Sequence, residues 1–246
     1  MNASETRLRG ILAIETSQSR GSVAWAKPGA APVEELFPIG LVHGREILSR
    51  IDQLSTRAPF NRSEIELVAV SAGPGSFTGA RIGVAAGKAI AYALGIPTLA
   101  ISSLEVVAQN ALIDADRTLP EGGECAVILD ARRQSVYAAR FRRRGQSIDR
   151  ITEDACLEFA TFVASLPAET RLLGEGVRSL EGLEAFVQLP ESVDRPRATT
   201  VIELARRKLA EIEGGAPPPP EFTDPHSLVP CYLRRTAAEE AREERS

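Results

Sequence analysis

The stretch with the clearest potential for chemistry is a glycine-rich turn, Gly73-Pro74-Gly75, between the apolar run 67–72 and a helical pattern. A strand, a glycine-rich turn and a helix in this order are typical of an anion-binding loop. Unpaired backbone N–H groups and the positive end of the helix dipole converge there and favour phosphate. Gly73 and Gly75 are therefore candidate phosphate-site residues.

The helix after this turn carries Gly79, Gly83 and Gly87 at successive i+4 positions. Each interior glycine costs roughly 0.5–1 kcal/mol of helix stability relative to alanine, so close approach of a helix or sheet must compensate. The turn lacks the Lys and Ser/Thr ending of a P-loop, and Lys88 lies about three turns along the helix. The stretch is either a nucleotide site or a packing surface, and the spacing leaves both interpretations open.

A second candidate for chemistry is Glu15, which ends the first apolar run of the chain and leads into Thr16 and Ser17. Its carboxylate could orient a metal-bound water or a nucleotide phosphate, or it could cap the turn, and both interpretations stay open. The two histidines, His43 and His226, have no metal-ligand spacing, and no GxSxG elbow occurs. The sequence therefore predicts no catalytic residue and no metal site in this chain.

Composition sets limits on the class of protein. The 246 residues, 43% hydrophobic and 25% charged, can bury one large core or two smaller ones, and the net charge of -4 argues against a broad nucleic-acid surface. The basic run 140–144 indicates either a local RNA or phosphate contact or a solvated hairpin tip. The excess of acidic over basic residues in the chain favours the hairpin tip.

Three cysteines without a CxxC pair suit a reducing compartment. With no signal peptide and no long apolar run, a cytoplasmic protein without a membrane segment is predicted.

Apolar runs and helical spacing predict the elements that position these residues. The first half gives the order βββαβαβα, with segments at 8–14, 21–26, 33–37, 43–54, 67–72, 76–93, 96–101 and from 102. The second half begins again on this plan, since the run 125–129 ends on Asp130 and an alternating strand follows from Ser135. Its remaining segments are a strand at 147–151, a helix at 155–166, a strand at 171–173 and a helix at 199–212.

This repeat predicts an α/β protein of two lobes. The first lobe covers residues 1–104 and a smaller second lobe covers 105–216. A stiff proline spacer at 217–220 separates them from the segment 221–246, which is expected to pack back on the first lobe.

Five stretches together resemble the TsaB (YeaZ) family: ILAIETS, HGREILSRIDQL, SAGPGSFTGARIGVAAGKAIAYALGIPTLAISSLE, LDARRQSVYAARF and PCYLRR. The match spans most of the chain, and the GPGSFTG-x-RIG block with SSLE is its most specific part. The resemblance implies the two-lobed fold of actin, Hsp70 and sugar kinases, with a ribonuclease H-like unit in each lobe. It also implies a role in making N6-threonylcarbamoyladenosine beside the anticodon of tRNA.

The resemblance implies a non-catalytic scaffold and activator that binds a TsaD-type transferase, with a TsaE-type ATPase acting on the complex. The catalytic relative binds metal through two histidines of a His-x-Glu-Gly-His motif, and alignment on the strand at 98–101 puts Ser103 and Val107 at those places. A hydroxyl and a hydrocarbon cannot replace two imidazoles. ATP, ADP and metal are therefore expected on partner subunits, and tRNA contact only through the complex.

The resemblance also implies a four-helix interface with the partner, formed here by the helices at 43–54 and 76–93. The candidate interface residues are His43, Ile47, Leu48, Ile51, Gly79, Ile82, Gly83, Ala86 and Gly87. The isolated chain is predicted to form a homodimer through the same surface. Two alternative functions are kept: a free-standing ATP-dependent phosphotransferase that uses Glu15 and the two hairpin turns, and, less favoured, a metallopeptidase-like enzyme.

Overall fold

The computed structural model describes residues 10–38, 43–113 and 119–234, without the side chain of His43. These residues form two five-stranded sheets, one in each half of the chain. Within these ranges, no helix is long and apolar enough to cross a membrane.

The first sheet is built from β1 (Ile11–Glu15), β2 (Ser22–Ala26), β3 (Val33–Leu36), β4 (Leu67–Gly73) and β5 (Thr98–Ser102). Its strand order is β3-β2-β1-β4-β5. The first three strands are antiparallel neighbours, whereas β4 runs parallel to both β1 and β5. All residues of β1, β2 and β4 are buried because helices cover both faces of the sheet.

The second sheet is built from β6 (Glu124–Asp130), β7 (Ser135–Arg144), β8 (Ser147–Arg150), β9 (Ala155–Glu158) and β10 (Arg171–Leu173). Its order is β10-β6-β7-β8, and β9 pairs with the start of β7. β6 and β7 form an antiparallel hairpin as β1 and β2 do, and β10 runs parallel to β6 as β4 does to β1. The predicted α/β architecture with a repeated plan is confirmed.

The helices of the described chain are α1 (His43–Arg57), α2 (Phe77–Leu94), α3 (Ser103–Asn110), α4 (Phe159–Ala164), α5 (Glu175–Ser179), α6 (Ala198–Glu213) and α7 (Pro220–Thr223). α1 and α2 cover one face of the first sheet, and α6 covers the other. α2 begins at a Ser76 N-cap, whose hydroxyl accepts a hydrogen bond from Gly79 N, and ends at Gly95 with φ 66°.

Two of these helices pack on the sheet of the other half of the chain. α3 follows the first sheet, yet Leu104 and Val107 are buried in a core with β6 and β7. α6 follows the second sheet, yet Val201 and Ile202 pack against Ile11 of the first. The division at residue 104 remains a prediction, although α6, which it assigns to the second lobe, packs on the first sheet.

The predicted helix at 155–166 is wrong in its first four residues. Ala155–Glu158 form β9, in which Cys156 pairs with Tyr137 of β7. The helix begins only after Glu158, whose carboxylate accepts hydrogen bonds from the amides of Ala160 and Thr161. Pairing with a strand nearly twenty residues earlier decides the conformation of 155–158, and local helix propensity does not.

The segment after the proline spacer returns to the first sheet over residues 221–234. The Thr98 hydroxyl donates a hydrogen bond to Glu221 O at 2.8 Å, and Leu228 is 1% exposed in the core beneath α2. Residues 235–246 of the predicted returning segment lie outside the described residues.

Candidate functional site

Glu15 lies at the end of β1, beside the glycine-rich turn that follows β4. It is fully buried, and its Oε1 accepts hydrogen bonds from Ser17 N at 2.5 Å and from the Ser17 hydroxyl at 2.6 Å. A carboxylate that accepts from the residue two positions later is the hydrogen-bonding pattern of a turn cap. The geometry therefore favours the capping role of Glu15 over a role in holding a ligand.

Burial raises the pKa of Glu15 from 4.5 to about 7, against the opposing effect of the hydrogen bonds from Ser17. The cause is desolvation, since a charged carboxylate is disfavoured inside the protein. Burial therefore favours the protonated form of this carboxyl group over the charged form.

The chain's own backbone fills the concave side of the glycine-rich turn. Ser76 N donates to Ser17 O at 2.7 Å, and a Cβ on Gly75 would lie 2.3 Å from the same carbonyl oxygen. The Thr16 hydroxyl donates to Gly79 O at 2.7 Å. Because the turn after Glu15 lies against the loop and the helix start, the phosphate site suggested for Gly73 and Gly75 has no matching open cradle.

The glycine row of α2 faces the first sheet. A Cβ on Gly79 would lie 2.0 Å from Thr16 O, and one on Gly83 would lie 2.3 Å from the Thr16 hydroxyl oxygen. A Cβ on Gly87 would lie 2.4 Å from a methyl group of Val70. The glycines are therefore needed for packing inside the chain, and their assignment to the partner interface is corrected.

The outer faces of α1 and α2 leave an open groove of about 610 Å³ between them. Its lining is largely apolar and includes Leu48, Ile51 and Ile90. Leu48 is 70% exposed, whereas Ile47 is 2% exposed and belongs to the core. The prediction that Ile47 belongs to the partner interface is therefore wrong, because Ile47, like the glycines of α2, is buried inside the chain.

Four of the candidate interface residues keep part of their surface exposed: Leu48, Ile51, Ile82 and Ala86. The side chain of His43 lies outside the described residues. The use of this surface by a partner stays a prediction.

Comparison with known proteins places the chain in a family. The family model described as "TsaD: tRNA N6-adenosine threonylcarbamoyltransferase" matches residues 41–205. The TsaB tRNA threonylcarbamoyladenosine biosynthesis protein of Bacillus subtilis is 26% identical over 239 residues, 93% of this chain and 96% of the relative. The chain belongs to the TsaB (YeaZ) family of the TsaD-like superfamily.

Other TsaB relatives support the assignment. The Escherichia coli TsaB protein is 32% identical over 134 residues, which cover 54% of this chain and 55% of the relative. The solved structure of YeaZ from Pseudomonas aeruginosa superposes with a TM-score of 0.77 at 25% identity, covering 92% of this chain and all of that one. The predicted two-lobed fold is therefore confirmed.

The positions aligned with the metal-binding histidines of the catalytic relative lie in the core of this TsaB-family chain. Ser103 and Val107 are both fully buried, and the Ser103 hydroxyl donates a hydrogen bond to Pro74 O. In the part of the chain that the structure describes, no three His, Cys, Asp or Glu side chains group as a metal site requires. The side chains at these two places serve packing and link α3 to the glycine-rich turn.

The basic run forms the last five residues of β7, before the short turn into β8. Arg140 and Arg142 both form ion pairs with Glu124, and Arg144 pairs with Asp149 at 2.7 Å. Acidic partners within the chain reduce the positive potential that an RNA contact would need. These ion pairs argue against an RNA site, and the predicted solvated hairpin tip is wrong for Arg143, which is buried within β7 and donates a hydrogen bond to Leu119 O.

The contacts of two residues, Thr16 and Tyr232, were not predicted from the sequence. Thr16 fills the space above Gly79 and Gly83, and Tyr232 stacks against the start of α2. The i+4 glycine spacing indicates that something approaches the helix closely, but it does not identify a side chain more than sixty residues away.

Proposed function

We propose that this protein is a non-catalytic scaffold and activator subunit in tRNA threonylcarbamoyladenosine biosynthesis, which binds a TsaD-type transferase through the outer faces of α1 and α2. Its involvement in this biosynthesis follows from its TsaB relatives. The transferase chemistry, with its ATP or ADP and its metal, is assigned to partner subunits. A TsaE-type ATPase acts on the complex, and tRNA is contacted through it.

The observation that carries the proposal is the apolar surface of these two helices. Leu48 is 70% exposed, and the groove beside it continues over Ile51 and Ile90. Large apolar side chains grouped around a groove are characteristic of protein–protein contacts. In the isolated protein the same surface pairs with a second copy and gives a homodimer.

The closed glycine-rich turn supports the non-catalytic part of the proposal. A phosphotransferase of this fold would need space for phosphate and Mg²⁺ between Glu15 and the turn, and Ser17 occupies that space. A metallopeptidase would need ligands where Ser103 and Val107 are buried.

The test is Leu48→Asp. A carboxylate at the edge of the apolar groove must be desolvated on binding. We therefore expect the affinity for the TsaD-type subunit to fall by at least about tenfold. Affinity is measured by titrating the purified transferase subunit in a calorimeter. Since Leu48 is exposed, the thermal midpoint of the variant should remain close to that of the wild type.

Gln53→Asp is the matched control, because it adds the same charge to an exposed position of α1 about 140° around the helix. It should bind as the wild type does. Equal affinity of the Leu48 variant and the wild type would show that this surface is not the contact site. Sedimentation of the isolated wild-type chain as a strict monomer at tens of micromolar would contradict the homodimer.

A further inference from the structure

The late segment Leu228–Arg234, called the clasp below, is anchored in the first lobe. Leu228 is buried beneath α2, and a Cβ on Gly87 would lie 3.8 Å from its Cδ2. Cys231 N donates a hydrogen bond to Ala72 O at 2.8 Å, near the end of β4. The clasp thus begins in the core and continues along the glycine-rich turn.

The middle of the clasp covers the start of α2. Tyr232 accepts a hydrogen bond from Arg81 Nε at 2.6 Å, and its ring centroid lies 5.4 Å from that of Phe77. The Arg81 guanidinium lies 3.7 Å from the centroid of the Phe77 ring. A cation packed against two exposed aromatic rings adds attraction without deep burial, so this contact can form and break in water.

The far end of the clasp reaches the second lobe. Arg234 Nη1 donates a hydrogen bond at 2.8 Å to Ala131 O, in the turn after β6. A small, partly open cavity of about 30 Å³ lies between the lobes and the clasp, with Gly75, Tyr137 and Cys231 in its lining. The clasp therefore joins both lobes over the glycine-rich turn.

We propose that the clasp holds the two lobes together over Gly73–Gly75 and detaches reversibly, starting at Arg234. The two ends of the clasp are attached with different stability. Leu228 is buried in the core, whereas Arg234 is half-buried and held by polar contacts. Local opening starts where few apolar contacts are lost. Opening that begins at Arg234 and continues through Tyr232 and Cys231 uncovers the turn. It also loosens the contact between the lobes, while Leu228 keeps the clasp attached.

The test is hydrogen–deuterium exchange of the full chain carrying Arg234→Ala. Loss of a hydrogen bond of this kind corresponds to roughly a fivefold rise in local opening. We expect exchange to accelerate by about that factor in three peptides, covering 72–80, 131–137 and 228–234, because the clasp protects all three. Alkylation of the Cys231 thiol, whose backbone lies in the clasp, should accelerate by a similar factor.

Val229→Ala is the control, since Val229 lies in the clasp but is 63% exposed. It should exchange as the wild type does. Faster exchange confined to 228–234 would overturn the proposal, because it would mean that Arg234 fixes only a surface tail. Unchanged exchange in all three peptides would overturn it as well, and the thermal midpoint of each variant shows whether the fold is intact.

Discussion

Gly79→Ala is expected to lower the free energy of unfolding by about 3 kcal/mol, at the upper end of the range for overpacked sites. The new methyl group would lie 2.0 Å from Thr16 O, a backbone atom in the buried turn after β1. A side chain could rotate away, but this carbonyl cannot move without shifting the turn. Urea unfolding followed by circular dichroism measures the loss.

Gly44→Ala provides the matched control on the neighbouring helix. Among the residues that the structure describes, the closest atoms to its Cβ are those of Ile82, at 3.8 Å, which is ordinary van der Waals contact. The variant should be as stable as the wild type or more stable by up to about 1 kcal/mol, through helix propensity. Equal stability of the two alanine variants would contradict the close packing of α2 on the sheet.

Because the glycines of α2 pack inside the chain, their substitution cannot test partner binding. Leucine at Gly83 would collide with Thr16, and leucine at Gly87 would collide with Val70. Both changes damage the fold of the chain before any partner is involved. Partner binding is therefore better tested at Leu48, where the side chain is exposed.

Elements with strong local signals could be predicted from the sequence. The strand Arg171–Leu173 and the helix Ala198–Glu213 lie within one residue of their predicted bounds, because an apolar run and an amphipathic stripe define them. The strand Ala155–Glu158 could not be predicted, since it is defined by pairing with β7. The attachment of α6 to the first sheet is equally nonlocal.

The contacts of the candidate site also could not be predicted from the sequence. The spacing of Gly79, Gly83 and Gly87 identifies one face of α2 but does not tell whether a sheet or a partner covers it. Glu15 is fully buried at the end of β1, beside β4, which lies more than fifty residues later in the chain. The PCYLRR motif marks the clasp, yet its contact with Ala131 spans both lobes and is visible only in three dimensions.

The pH dependence of stability should identify Glu15 as a buried acid. Its pKa is 4.5 when exposed and about 7 in the folded protein, so the folded state binds more protons between these values. Stability therefore falls as the pH rises from 4.5 to 7, and the loss is complete above 7. The difference between the two pKa values corresponds to about 3 kcal/mol.

Glu15→Gln should remove this contribution, because the amide keeps an oxygen that accepts from Ser17 and has no charge to desolvate. Urea unfolding at several pH values from 5 to 8 should give a flatter stability profile for this variant, which gains on the wild type as the pH rises. Glu211→Gln, the same change at an exposed position of α6, should keep the wild-type profile. Parallel profiles for Glu15→Gln and the wild type would mean that Glu15 is charged in the folded protein near pH 5, and that the turn after β1 stabilises the charge.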